Sequence, residues 1–179
     1  MSNTIMTEEQ QLRATMQALT RLIGKWHGRG RGEFPTIAPF QYEEELAVHG
    51  NGVDHHLHFE QRTWKLDHAG KIGEPLHWES GFIRALPNGV EIANAQNGYR
   101  VEVLRGELDQ EALRKGILQM TLTSTLLGND ERMLQTRREF HVQGDRLKYK
   151  VAMATTTAPA LHHHLEAALE RVAWFEQLR

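Results

Sequence analysis

The sequence predicts an all-β chain: about ten antiparallel strands closed into an up-and-down β-barrel, preceded by one N-terminal helix. Three observations carry this. The hydrophobic period changes from helical to two after Gly24. Turn-forming clusters recur at short intervals, with no helical crossover long enough for parallel pairing. So many strands avoid open edges most simply by closing on themselves.

The expected division is a helical lead-in over residues 1–23 and a barrel domain over 24–179. In the lead-in, Thr7 and Gln10 form a capping box, and Glu8 and Glu9 suit the first turn. Leu12, Met16, Leu19 and Ile23 make one apolar stripe, so the segment reads as a packing lid over 7–23. Candidate strands follow near 24–34, 40–48, 54–65, 75–85, 89–96, 99–106, 116–126, 132–143 and 146–155. They are punctuated by His49-Gly50-Asn51-Gly52, Pro87-Asn88-Gly89, Gly128-Asn129-Asp130 and Gly144-Asp145. Asn97-Gly98 is the strongest hairpin signal. The last segment, near 163–172 within 163–179, is ambiguous: Leu165 to Val172 are strong helix formers, yet a barrel needs a final strand against its first.

The first strand is the most informative. Gly24, Trp26, Gly28, Gly30, Gly32 and Phe34 share one face; Lys25, His27, Arg29, Arg31 and Glu33 share the other, which belongs in water. Three glycines between two aromatics imply either a sharply bent strand or the close approach of a bulky ligand.

Composition narrows the function. The chain has 179 residues, 40% hydrophobic and 25% charged, which fits one globular domain. A net charge of -2 gives no general attraction to nucleic acid or anionic membrane, and Arg29 with Arg31 makes only a small basic patch. There is no cysteine, hence no disulfide and no thiolate chemistry. No apolar run approaches the roughly 20 residues of a membrane span. The first residues lack a secretion signal, so cytoplasm is expected. Phosphate loops, dinucleotide fingerprints, nucleophile elbows and HExxH are absent.

Histidine is the remaining chemical signal, with 11 in the chain. Val53, His55, Leu57 and Phe59 share one strand face, and Asp54, His56, His58 and Glu60 the other. The second set could hold an ion such as zinc, but a polar outer face explains it equally. His55 reads as a satisfied core histidine, and His77 as a hydrogen-bonded strand histidine. His162, His163 and His164 cannot all face one site; one or two of them could bind iron, since neutral imidazole is a good haem ligand. Within Glu43-Glu44-Glu45 one acid, Glu44, turns inward and would want a basic partner.

Together these motifs resemble the nitrobindin family of haem-binding β-barrels, similar in shape to lipocalins and fatty-acid-binding proteins. Gly24-Lys25-Trp26-His27-Gly28-Arg29-Gly30 matches its GxWxGxG signature. Tyr42 to Leu46, Arg62-Thr63-Trp64, Leu76 to Arg84, Gln96, Met153 to Thr157, and His164-Leu165 follow in the same order. The resemblance implies ferric haem b near an open barrel mouth, with His164 as the axial iron ligand. Thr36, Leu76, His77, Gln96 and Met153 match its haem-contacting positions. It further implies a strand for the last segment, reversible binding of nitric oxide, and conversion of peroxynitrite to nitrate, in a monomer or homodimer without nucleic-acid or membrane partners. The alternative reading is a non-catalytic carrier of a lipid or tetrapyrrole in the same barrel.

Overall fold

The structure, a computed structural model, describes residues 6–52, 54–87 and 89–175. Ten strands form it: β1 (Gly24–Phe34), β2 (Ile37–Gly50), β3 (His56–Leu66), β4 (Ile72–Leu86), β5 (Gly89–Gln96), β6 (Val101–Leu108), β7 (Leu118–Gly128), β8 (Met133–Gln143), β9 (Arg146–Thr155) and β10 (Ala158–Ala173). Each pairs antiparallel with its neighbours in sequence, and β1 pairs with β10 to close the barrel. The inward side chains fill one core, from Val90 and Ile92 on β5 to Leu104, Leu118, Leu122 and Leu147 on later strands.

Helix α1 (Glu8–Leu19) starts with the expected capping box. It ends earlier than predicted because Thr20–Leu22 tighten into a 3₁₀ turn. Leu19, Leu22 and Ile23 are buried with Trp26, and Leu12 and Met16 pack partly against them. The Trp26 indole N–H donates to the Leu22 carbonyl at 2.8 Å. The lead-in thus covers one end of the barrel, here the base. The mouth is the opposite end, which carries the β1–β2, β3–β4, β5–β6, β7–β8 and β9–β10 turns.

The glycine face of β1 has a definite cause. A Cβ on Gly30 would overlap the Tyr42 ring and come within 2.6 Å of the Glu166 carbonyl oxygen. One on Gly32 would overlap Phe40, and one on Gly28 the Ala168 carbonyl oxygen. Close approach is real, but the bulky groups are the chain's own. On the outer face Arg29 pairs with Glu43 and Arg31 with Glu166, so the expected basic patch is neutralised.

The structure settles some expectations and corrects others. The last segment, ambiguous from its residues, is strand as the resemblance implies, and it begins at Ala158. It pairs with β1 on one side and β9 on the other, so two backbone ladders outweigh helix propensity. Asn97-Gly98 joins β5 and β6 in the expected hairpin, though not as a two-residue turn. Tyr99 N–H donates to the Gln96 carbonyl at 2.9 Å and Gln96 N–H to the Arg100 carbonyl at 2.9 Å, a three-residue loop. The left-handed position falls on Tyr99, at φ 64°. A short helix, α2 (Gln110–Arg114), was not foreseen, although Asp109 caps it as an N-cap should.

His55 is not a core residue; it is half-buried in the bend before β3. Asp54 also precedes the strand and bonds Asn51, so the four-residue face of acids and histidines does not assemble. His58 instead bonds Ser80 at 3.0 Å, and His56 and His58 both pack edge-on against Phe82. Val53 and Asn88 lie outside the described residues.

Candidate functional site

A cavity of about 330 Å³ opens at the mouth and reaches down to Leu22 at the base. Its upper wall comes from Ile37 and Phe40 on β2, Leu76 and His77 on β4, Val151 and Met153 on β9, and His164 and Leu165 on β10. Gln96 and Arg100, on either side of the β5–β6 turn, also line it. Five of the six sequence-predicted site residues, Leu76, His77, Gln96, Met153 and His164, are therefore brought together. Thr36 is not on the wall; it is exposed in the β1–β2 turn beside Ile37.

A β-bulge decides how the three consecutive histidines are disposed. His162 pairs with Met153 and His163 with Ala152, but the next pair is Leu165 with Val151. His164 is the extra residue, so it and Leu165 both line the cavity despite adjacent positions. His163 lies 3.8 Å from Glu166, and His162 packs edge-on against Phe34. His162 keeps the register of the wall residue Met153, but its ring is taken up by Phe34 and it does not line the cavity.

His164 is held in one orientation. Its Nδ1 lies 3.2 Å from the Glu33 carbonyl oxygen, which fixes that nitrogen as the N–H donor. Nε2 makes no hydrogen bond among the described residues. Phe34 packs edge-on against the ring at 5.7 Å. Burial lowers the His164 pKa, only partly offset by the Glu33 bond, so the ring is neutral near pH 7. A neutral imidazole with one nitrogen bonded to a carbonyl and the other free is the state a metal requires. With apolar Ile37, Leu76, Val151 and Met153 around it, this donor fits a haem ring and its iron. Among the described residues no three His, Cys, Asp or Glu side chains are placed to hold a bare metal ion.

Below this apolar level runs a charged belt that sequence reading did not find. Arg138 on β8 donates to Glu79 at 2.5 and 2.9 Å, and also to Glu102. Glu102 accepts further from Thr136 at 2.7 Å and Asn94 at 3.2 Å, and His77 Nε2 lies 3.4 Å from Glu79. Burial alone would raise both carboxyl pKa values, but Arg138 more than reverses this and both stay ionised. One guanidinium thus faces two carboxylates. The signal was available: Glu79, Glu102 and Arg138 each fall on the same parity as the apolar core residues of their strands, Ile83, Leu104 and Phe140.

Glu44 is fully buried, as expected, but it has no cation beside it. It accepts from Tyr149 at 2.6 Å and Gln61 at 2.7 Å. With the Tyr149 proton given to Glu44, the Tyr42 hydroxyl is the donor to Tyr149 at 3.0 Å, the Glu166 carbonyl being a second acceptor at 3.3 Å. Burial raises the Glu44 carboxyl to about 7, and the Tyr149 and Gln61 bonds lower it only in part. The expected basic partner is replaced by neutral donors and partial protonation.

The comparisons agree with this geometry. A family model described as the THAP4-like, heme-binding beta-barrel domain matches residues 15–171. A protein of Arabidopsis thaliana named peroxynitrite isomerase Rv2717c is 38% identical over 157 residues, 86% of this chain and 87% of its own. Peroxynitrite isomerase 2 of Mycobacterium avium is 34% identical over 164 residues, 89% of this chain and 96% of its own. The crystal structure of Rv2717c from M. tuberculosis matches with a TM-score of 0.76 at 30% identity, over 88% of this chain and 96% of that one. The S-type phycobiliprotein lyase of Guillardia theta shares the fold alone, with a TM-score of 0.61 at 7% identity over 93% and 98% of the two chains. No described helix is long and apolar enough to cross a membrane. With its family model spanning nearly the whole barrel, this chain belongs to the THAP4-like, heme-binding β-barrel domains, the nitrobindin-type family that its motifs resemble.

Proposed function

We propose that this chain is a cytoplasmic, ferric haem b protein that converts peroxynitrite to nitrate and binds nitric oxide. The carrying observation is His164: a neutral, half-buried imidazole on the cavity wall, oriented by Glu33 through Nδ1 and uncommitted at Nε2. Haem would supply a Lewis-acidic iron centre toward an anionic oxygen ligand. The chain's own part is to position and to exclude water. His164 would hold the iron through its free Nε2, and the Glu33 carbonyl and the Phe34 ring hold the imidazole against rotation. Leu76, Val151 and Met153 give the ring an apolar wall, and Thr36 is at the rim beside Ile37. His77 also lines the cavity, with its Nε2 3.4 Å from Glu79.

The charged belt argues against the lipid-carrier alternative. An acyl chain reaching the base would have to pass the buried charges of Glu79, Glu102 and Arg138. The belt favours a ligand held at the mouth.

Titration of the protein with ferric haemin, followed by absorbance, tests the reading. The protein takes up haemin with a histidine-ligated spectrum, and the loaded protein accelerates peroxynitrite decay to nitrate. His164→Ala loses that spectrum and binds at least about tenfold more weakly, as loss of a metal ligand predicts. His162→Ala and His163→Ala keep it. A His164→Ala protein with wild-type spectrum and affinity sinks the assignment of the ligand. A protein that ignores haemin but takes up fatty acid sinks the whole reading.

A further inference from the structure

Arg100 stands apart from the other charged groups of the cavity. Two arginines line it, Arg138 and Arg100. Arg138 is closed on Glu79 and Glu102. Arg100 makes no ion pair among the described residues. Asp130, whose carboxyl feels the Arg100 charge, is held by Arg132 at 2.8 and 3.0 Å. The sole side-chain hydrogen bond of Arg100 among the described residues runs from Nη2 to the Gln96 amide oxygen at 2.6 Å. Its Nε is buried with no hydrogen-bond partner among the described residues.

The guanidinium is also held in place. Gln96 is fixed in turn, because its Nε2 donates to Glu102 at 3.3 Å. The backbone is fixed by the three-residue hairpin that joins Gln96 to Arg100, with Tyr99 in the left-handed region at φ 64°. A half-buried cation without a counter-ion is costly unless an anion completes it. Here the cation is pre-oriented on the wall of the mouth, among Ile37, Leu76, Val151 and Met153 as well as His77 and His164. The ligand that fits is flat and apolar with a carboxylate at its edge, since a guanidinium recognises carboxylate through paired N–H donors.

We infer that Arg100, positioned by Gln96, is the carboxylate anchor of the mouth and receives an acid side chain of the bound tetrapyrrole. This rests on the haem reading above and adds to it a second point of attachment besides the iron–histidine bond. It also gives Gln96 a different role from that of a simple wall residue, since both ends of its amide are committed to Arg100 and Glu102.

The test separates the carboxylate from the iron. Metal-free protoporphyrin IX and its dimethyl ester are titrated into the native protein, Arg100→Gln and Arg100→Lys, with binding read by porphyrin fluorescence; haemin is titrated in parallel. Arg100→Gln weakens the free acid about tenfold, the usual scale for one charge-assisted hydrogen bond. It leaves the ester within about twofold. Arg100→Lys falls between, because it keeps the charge without the fork. Melting temperatures stay together, since Arg100 lies at the mouth and not in the core. If Arg100→Gln binds acid and ester as the native protein does, or loses both equally, the anchor is overturned while haemin uptake through His164 stands. If the native protein takes up neither haemin nor porphyrin, the haem reading falls and this inference falls with it.

Discussion

At the scale of single residues, Glu44 makes the clearest prediction. Its folded pKa, raised by burial to about 7 from the ordinary 4.5, means that the native state holds a proton which the unfolded chain releases. The associated stability is complete below about pH 4.5 and is lost as pH rises through 7, roughly 3 kcal/mol in all. Glu44→Gln keeps an acceptor for Tyr149 and removes the titration. Urea unfolding at a series of pH values should therefore show the decline between about pH 5 and 8 flattened in the variant. An unchanged slope would assign the decline to another group. Glu44 also shows what residue patterns reveal. Its inward parity was readable from Tyr42-Glu43-Glu44-Glu45-Leu46, but its partners Gln61 and Tyr149 lie 17 and 105 positions away. No local pattern contains them.

At the scale of elements, β1 and β10 decide the site. The alternation of β1 was legible, and the structure keeps it. What the glycines accommodate was not legible, because Tyr42 and Phe40 come from the paired strand. Gly30→Val should cost about 2–4 kcal/mol, since the branched side chain collides with the Tyr42 ring and the Glu166 carbonyl. Gly98→Ala is the control, as nothing lies within 4 Å of its new methyl group. Thermal melting that finds the two variants alike would refute the steric account. In β10 the bulge brings His164 and Leu165 to one cavity. A bulge is a property of two strands in register, so the sequence alone left all three histidines open. The motif resemblance singled out His164, and the bulge supplies a physical reason for it to reach the cavity wall.

At the scale of the whole molecule, closure is the main event, and Arg171 sits on the seam. Its guanidinium stacks 3.9 Å from the Trp26 ring and 3.6 Å from the Trp174 ring. It donates to the Ile23 carbonyl, to the Arg21 carbonyl at 2.9 Å and to Asp145 at 2.9 Å. One side chain thus joins β10, the lead-in, β1 and the β8–β9 turn, and it is 2% exposed. Arg171→Ala should lower unfolding free energy by about 2–4 kcal/mol, from lost cation–π and buried hydrogen bonds. Arg171→Lys should recover less than half of that, lacking the planar fork. Chemical denaturation reads both, and a neutral Arg171→Ala would show that the seam holds without it. The sequence by itself determined the barrel class, the lid helix and the strand order, because period-two alternation and turn chemistry are local; the cavity-wall positions came from the motif resemblance. Tertiary structure decided the last strand, the bulge at His164, the belt of Glu79, Glu102 and Arg138, and the unpaired Arg100. Each of these depends on which distant strands meet and in what register, and on the cost of leaving a backbone edge or a buried charge without a partner.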